Sequence, residues 1–211
     1  MEIRCSTATA QSWSGDALVL GLFAGDAGDA TRSLLRERFG DVLLQRLEQR
    51  RFQGKPGECL NLELVGAELA SLVFVGLGAP EAFNLEQLRH AAATGTKAAA
   101  ASGGKQLALA LPLEGLEPLS AVSAVADAIR LSLFADQRFK GGDAEPKPHP
   151  DAVTVLGLPE TAVSEAAAAV QASQAICSGV ELARELVAAP PNVVTPQALA
   201  DTAARIARDY G

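Results

Sequence analysis

The chain has 211 residues, 48% of them hydrophobic and 20% charged, with a formal net charge of −7. That length holds one sizeable core, or one domain and the opening of a second, and the composition excludes a disordered chain. Scattered Lys and Arg in a net acidic chain make nucleic acid an unlikely partner, because a polyphosphate backbone would be repelled on average.

The opening MEIRCSTATAQSWSGD carries Glu2 and Asp16 around a polar run where an export signal needs an unbroken apolar core. A short alternating segment near Ile3 and the apolar run Asp16 to Phe23 read as two strands, the second ending at the Gly25, Gly28 cluster. From Ala30 to Phe52, Leu34, Leu35, Phe39, Leu43, Leu44 and Leu47 recur at helical spacing around Gly40, which predicts two short helices. Arg46, Arg50 and Arg51 fall in the second and read as a solvated face. A DNA-binding role would require them to share one face with Arg32, Arg36 and Arg38. Glu58 to Val65 and Leu69 to Leu77, joined through Gly66-Ala67-Glu68, predict a hairpin.

Asn84, with Gln87 three residues on, predicts a capped helix running to about Ala101 and stopped by Ser102-Gly103-Gly104. Leu107 to Leu111 is a buried strand, Leu119 to Phe134 a helix, and Ala152 to Leu158 another strand. The segment Lys140 to Pro150 is a surface loop rich in Gly, Pro and charge. This alternation predicts an α/β domain over residues 1–158, a mixed sheet flanked by helices on both faces. With aromatic residues at only 4%, its core must be built from Ala, Leu and Val, with helices packed closely through Ala.

Glu160 to Ala189 is a long Ala-rich helical stretch with a stripe of Val163, Ala167, Val170, Cys177, Val180 and Val187. About 30 residues would span about 45 Å, a length suited to a connector between domains. Its stretch Thr161 to Val180 contains Glu165, serines and two Gln, too polar for a membrane span. Pro190-Pro191 end the helix, and Thr195-Pro196 start another as cap and first helical residue. The expected organisation is a domain at 1–158, a linker helix at 159–189, and at 190–211 the beginning of a C-terminal domain whose remainder lies beyond the chain. Cys5, Cys59 and Cys177, odd in number and lacking C-x-x-C spacing, predict a reduced, cytoplasmic protein.

The segment LARELVAAPPNVVTPQALADTAARIA, Leu182 to Ala207, resembles the passage of leucyl aminopeptidases from linker helix to catalytic domain. Leu72 to Lys97, where a strand ends in Gly76-Leu77-Gly78 before a helix, is similar to the same family's N-terminal domain. So is Ala128 to Lys140, with Phe134 and the Arg138-Phe139-Lys140 run. The resemblance implies a macro-domain-like α/β fold that supports rather than catalyses. It also implies a full-length enzyme that removes N-terminal residues from peptides with two divalent metals, manganese or zinc, held in a later domain. The family's Gly-Lys-Gly, Phe-Asp-Ser-Gly-Gly and Asn-Thr-Asp-Ala-Glu-Gly-Arg signatures do not occur in this chain. The catalytic, cofactor-binding and metal residues expected in it are therefore none, and the chain alone is expected to be inactive. Its expected partners are its own catalytic domain and further copies of the subunit.

Other constellations are weak. Gly76-Leu77-Gly78 lacks the third glycine of a dinucleotide turn, since Glu81 stands there, and Gly103-Gly104-Lys105 reads as a helix stop rather than a phosphate loop. The best small-ligand candidate is Gly21 to Gly28 with Asp26 and Asp29, although a plain strand-to-helix turn explains it as well. His90 and His149 lack ligand-spaced partners, and Ser132 and Ser164 lack an activating base. The leading expectation is a non-catalytic scaffold and assembly region of an aminopeptidase. The alternative is a macro-like module that binds ADP-ribose, resting on fold analogy alone.

Overall fold

The computed structural model describes residues 1–25, 30–64, 69–141 and 149–210. Six strands form one sheet in the order β1-β6-β5-β2-β4-β3: β1 (Glu2–Cys5), β2 (Ala17–Phe23), β3 (Cys59–Glu63), β4 (Ser71–Gly78), β5 (Gln106–Ala110) and β6 (Ala152–Val155). All neighbours are parallel except β3, which runs antiparallel to β4. The runs ALVLGLF and SLVFVGLG have no polar face and become the central strands, almost wholly buried. Strand β3 alternates exposed and half-buried positions, as an edge strand does. The hairpin of β3 and β4 is present, while its turn at Gly66-Ala67-Glu68 lies outside the described residues.

The α-helices among the described residues are α1 (Ala30–Phe39), α2 (Val42–Gln49), α3 (Leu85–Ala101), α4 (Pro118–Leu133), α5 (Val163–Ala188) and α6 (Pro196–Tyr210). Leu35, Leu43 and Leu47 of α1 and α2 pack with Leu18, Leu20, Leu72 and Phe74 on one sheet face. On the other face α3, α4 and α5 bury Leu88, Val122, Ile129 and Val170 against Val19, Val75 and Leu109. The sheet is thus mixed and covered on both sides, as the alternation predicts.

Two local devices fix this arrangement. Asn84 caps α3 by accepting from the backbone N–H groups of Glu86 and Gln87, but the buried Gln87 Oε1 has no partner, so the reciprocal half of a capping box is not made. Asp16 fastens the start of β2 to both neighbours. Its carboxylate accepts from Lys105 N (2.7 Å) and Gln106 N (2.8 Å), and its carbonyl from Ala70 N and Ser71 N (both 3.0 Å).

Three expectations are corrected. Strand β6 ends at Val155, because Gly157 turns at φ 79° and the Gly157 and Leu158 amides donate to Ala8 and Ser6 instead of continuing a ladder. The long helix begins at Val163, after a 3₁₀ turn over Glu160–Ala162. Its buried stripe is Ala166, Val170, Ser173 and Cys177, so Ala167 and Val187 face outward. The inward face is made of small residues, including a Ser, which hydrophobicity alone does not mark as interior.

Helix α3 crosses β2 so closely that a Cβ built on Gly95 would lie 2.3 Å from Val19 Cγ1, a stiff and fully buried side chain. Gly179, within α5, meets nothing within 4 Å. Alanine adds about 1 kcal/mol of helix propensity at either site, but overpacking a core costs about 1–3 kcal/mol. Thermal unfolding is therefore expected to shift in opposite directions, down for Gly95→Ala and up by a few degrees for Gly179→Ala. Equal shifts would contradict this packing.

Candidate functional site

The densest long-range polar contacts lie between the C-terminal part of α4 and the middle of α5. Arg130 donates from Nε to Glu181 Oε1 (2.8 Å) and from Nη2 to Glu181 Oε2 (2.7 Å), and also bonds the Gln174 carbonyl and the Ser178 hydroxyl at 3.1 Å each. Arg184 donates to the Leu131 carbonyl (3.0 Å) and lies over the Phe134 ring, 5.8 Å from its centroid. Leu131 belongs to the last turn of α4, whose carbonyls have no partner within the helix and favour a cation. Arg138, just past α4, donates to the Glu185 carbonyl (2.8 Å) and grips Asp136 with two bonds of 3.0 and 2.9 Å.

Deeper in the seam, Ser173 and Cys177 both donate to Asp127 Oδ1. Burial, with the Asp127 carboxylate beside it, pushes the Cys177 thiol up to about 11. It stays protonated near neutrality and works as a small packed donor, not a nucleophile. The bonds from Arg138 hold the Asp136 carboxyl at about 2.

The Arg184 and Arg138 contacts join the two segments 128–140 and 182–207, which are far apart in the sequence. Past Cys177 burial fades, while the arginine bonds continue as far as Glu185. No residue of α5 beyond it is fully buried, and α6 buries none. Val187 is 87% exposed, and Leu199, Ile206 and Tyr210 stand at i, i+7 and i+11 on one face of α6, all exposed. Thr195 caps that helix, accepting from Ala198 N at 3.2 Å.

The other constellations are separate from this seam. Gly76 and Gly78 lie under the segment 54–56: a Cβ on Gly76 would meet Lys55 O at 1.9 Å, and Gly78 N donates to Gly54 O. The Gly-Leu-Gly therefore allows one backbone to approach another and does not cradle a phosphate. Gly103, at φ 82°, closes α3. Gly21 lies inside β2, whereas Asp26, Gly28 and Asp29 lie outside the described residues. His90 is exposed beside Glu86, His149 Nδ1 faces the Pro150 carbonyl, and Ser132 bonds the Ile129 carbonyl. Among the arginines proposed for a shared basic face, Arg36 pairs with Asp41, while Arg38 donates to the Ala10 and Trp13 carbonyls and Arg32 to that of Gly25. Among the described residues no three His, Cys, Asp or Glu side chains come together. Among the described residues no helix is long and apolar enough to cross a membrane.

The fold, a mixed sheet that hands over to a long pinned helix, is that of an aminopeptidase's N-terminal domain. A solved mutant of tomato leucine aminopeptidase superposes on all of this chain and 42% of its own, at 28% identity and a TM-score of 0.85. A bottromycin maturation enzyme in complex with Mn, at 24% identity, matches 93% of the chain and 37% of its own with a TM-score of 0.66, which shows the fold alone. A family model described as the cytosol aminopeptidase family, N-terminal domain, matches residues 19–142, and the chain belongs to that family. Proteins named probable cytosol aminopeptidase from Synechococcus sp. (strain CC9311) and Parasynechococcus marenigrum (strain WH8102) are 45% and 48% identical over the whole chain, which spans 41% of each.

The seam makes two testable claims. Arg130→Met and Glu181→Met, combined in a double-mutant cycle by urea unfolding, are expected to couple by about 1–2 kcal/mol, more than exposed pairs do because both side chains are half-buried. A coupling near zero would mean that the pair does not hold the helices. The Arg138–Asp136 contribution has the sign of a depressed carboxyl: it is complete above the ordinary value of 3.8 and is lost as pH falls through about 2. Asp136→Asn is accordingly expected to flatten the acid limb of the stability profile.

Proposed function

We propose that the chain is the non-catalytic N-terminal scaffold of a leucyl aminopeptidase. Residues 1–158 would form the supporting domain, 159–189 the linker helix, and 190–211 the first part of the catalytic domain. One observation carries this reading: α5 is packed on the domain as far as Cys177 and tied to it by arginine bonds as far as Glu185, then leads to an amphipathic helix whose apolar face is exposed. A polar solvent-facing connector has no use for Val187, Val193, Leu199 and Ile206 in such positions, while a helix that packs against a further domain does.

The complete enzyme would remove N-terminal residues from peptides in the cytoplasm by two-metal hydrolysis, with manganese or zinc held by residues outside this chain. Further copies of the subunit would be its other partners. The likeness to tomato leucine aminopeptidase over all of this chain supports the reading, and so does the relatives' shared name.

The chain alone is expected to show no release of p-nitroaniline from leucine p-nitroanilide, with Mn²⁺ or Zn²⁺ added, and no stoichiometric binding of either ion by calorimetry. Metal-dependent turnover that survives purification and co-elutes with the chain would contradict the proposal.

A further inference from the structure

Strands β2 and β5 lie side by side, but their chains leave in opposite directions. From β2 the chain enters α1, whose Leu35 packs on the face carrying Leu18 and Leu20. From β5 it enters α4, whose Val122 and Val125 pack on the opposite face with Val19 and Leu109. In parallel sheets such a divergence leaves a crevice beyond the carboxyl ends of the strands, the place where open α/β folds bind ligands. Here it holds a cavity of about 1050 Å³. That is at the upper end of the roughly 300–1,000 Å³ that small organic ligands occupy. Its walls are apolar, with Leu20, Leu34, Ala110 and Leu156, and Thr9 and Glu114 stand at the exposed rim.

The chemistry of the walls selects the ligand. A nucleotide phosphate needs free backbone amides or a cation, and four amides beside this crevice are already used. Gly157 N donates to Ala8 O (2.9 Å) and Leu158 N to Ser6 O (3.2 Å). The first-turn amides of α4, Leu119 N and Ser120 N, donate to the Glu117 carboxylate at 3.1 and 2.7 Å. Among the described lining residues there is no Lys, Arg or His, and the one ionisable side chain is the carboxylate of Glu114. A phosphate placed here would meet negative charge and amides already satisfied, whereas an uncharged apolar body would exchange water for Leu and Ala walls.

We infer that this crevice is a binding site for an uncharged small molecule with an aliphatic or aromatic body, and not for a nucleotide phosphate. The site stands apart from the scaffold role, since none of its described lining residues belongs to α5 or α6 and it requires no second domain. It would give the supporting domain a ligand of its own.

The test is a titration of the ¹⁵N-labelled chain, followed by amide shifts, with 2-phenylethanol and separately with inorganic pyrophosphate and ADP-ribose. Saturable shifts at Gly21, Gly115 and Gly157 with the alcohol are expected, and none at these amides with the two phosphates. Thr9→Trp and Ala30→Trp, both at exposed wall positions, are expected to weaken the alcohol by about tenfold or more. No saturable shift with the alcohol, saturation of the same amides by either phosphate, or unchanged affinity in both folded variants would each overturn the inference.

Discussion

The structure depends on how a helix longer than its support is held. Helix α5 has 26 residues, about 39 Å of axis, but its fully buried positions end at Cys177, in the first 15 residues. Apolar burial through Ala166 and Val170 holds that first part to the sheet and α4. Beyond it, direction is set by three arginines: Arg130 on Glu181, Arg184 on the Leu131 carbonyl and the Phe134 ring, and Arg138 on the Glu185 carbonyl. Burial stabilises without specifying an angle, whereas bidentate and carbonyl-directed bonds are short-ranged and directional. The seam therefore converts a sheet domain into a base from which a helix leaves in a defined direction.

This division explains why the apolar face of α6 matters. A helix with no buried residue draws little stability from its own fold, because helices in proteins are stabilised mostly by packing one face. Under the proposed function such a face would fit a catalytic domain, and the sheet, the seam and the amphipathic helix would form one line of support toward it.

Much of the fold was legible because it is written locally. Unbroken apolar runs marked β2 and β4, Asn84 marked the start of α3, and Pro190-Pro191 with Thr195-Pro196 marked the break before α6. The seam was not legible as contacts. Local pattern places both segments on helices, but nothing in it tells that Arg130 reaches Glu181, 51 positions away. The phase of α5 was misread for a related reason: its inward face carries Ala166 and Ser173, and the Ser is admitted by a carboxylate on another helix, Asp127. In the sequence Asp16 is a charge that spoils an export signal and the start of an apolar run, yet in the fold it ties three strands together through backbone amides that no pattern displays. The crevice between β2 and β5 follows from strand order, which periodicity does not contain.

The central claim is that order in this chain is graded along α5, from a packed domain to a face awaiting a partner. Amide hydrogen exchange along the monomer at high dilution tests it most directly. Strong protection is expected through the sheet and α3 and up to about Cys177, intermediate protection across the arginine-pinned turns, and protection near that of an isolated helix from Pro196 to Tyr210. Uniform strong protection through Ile206 in the monomer would show that α6 folds onto this domain, and the account of an uncovered docking face would be wrong.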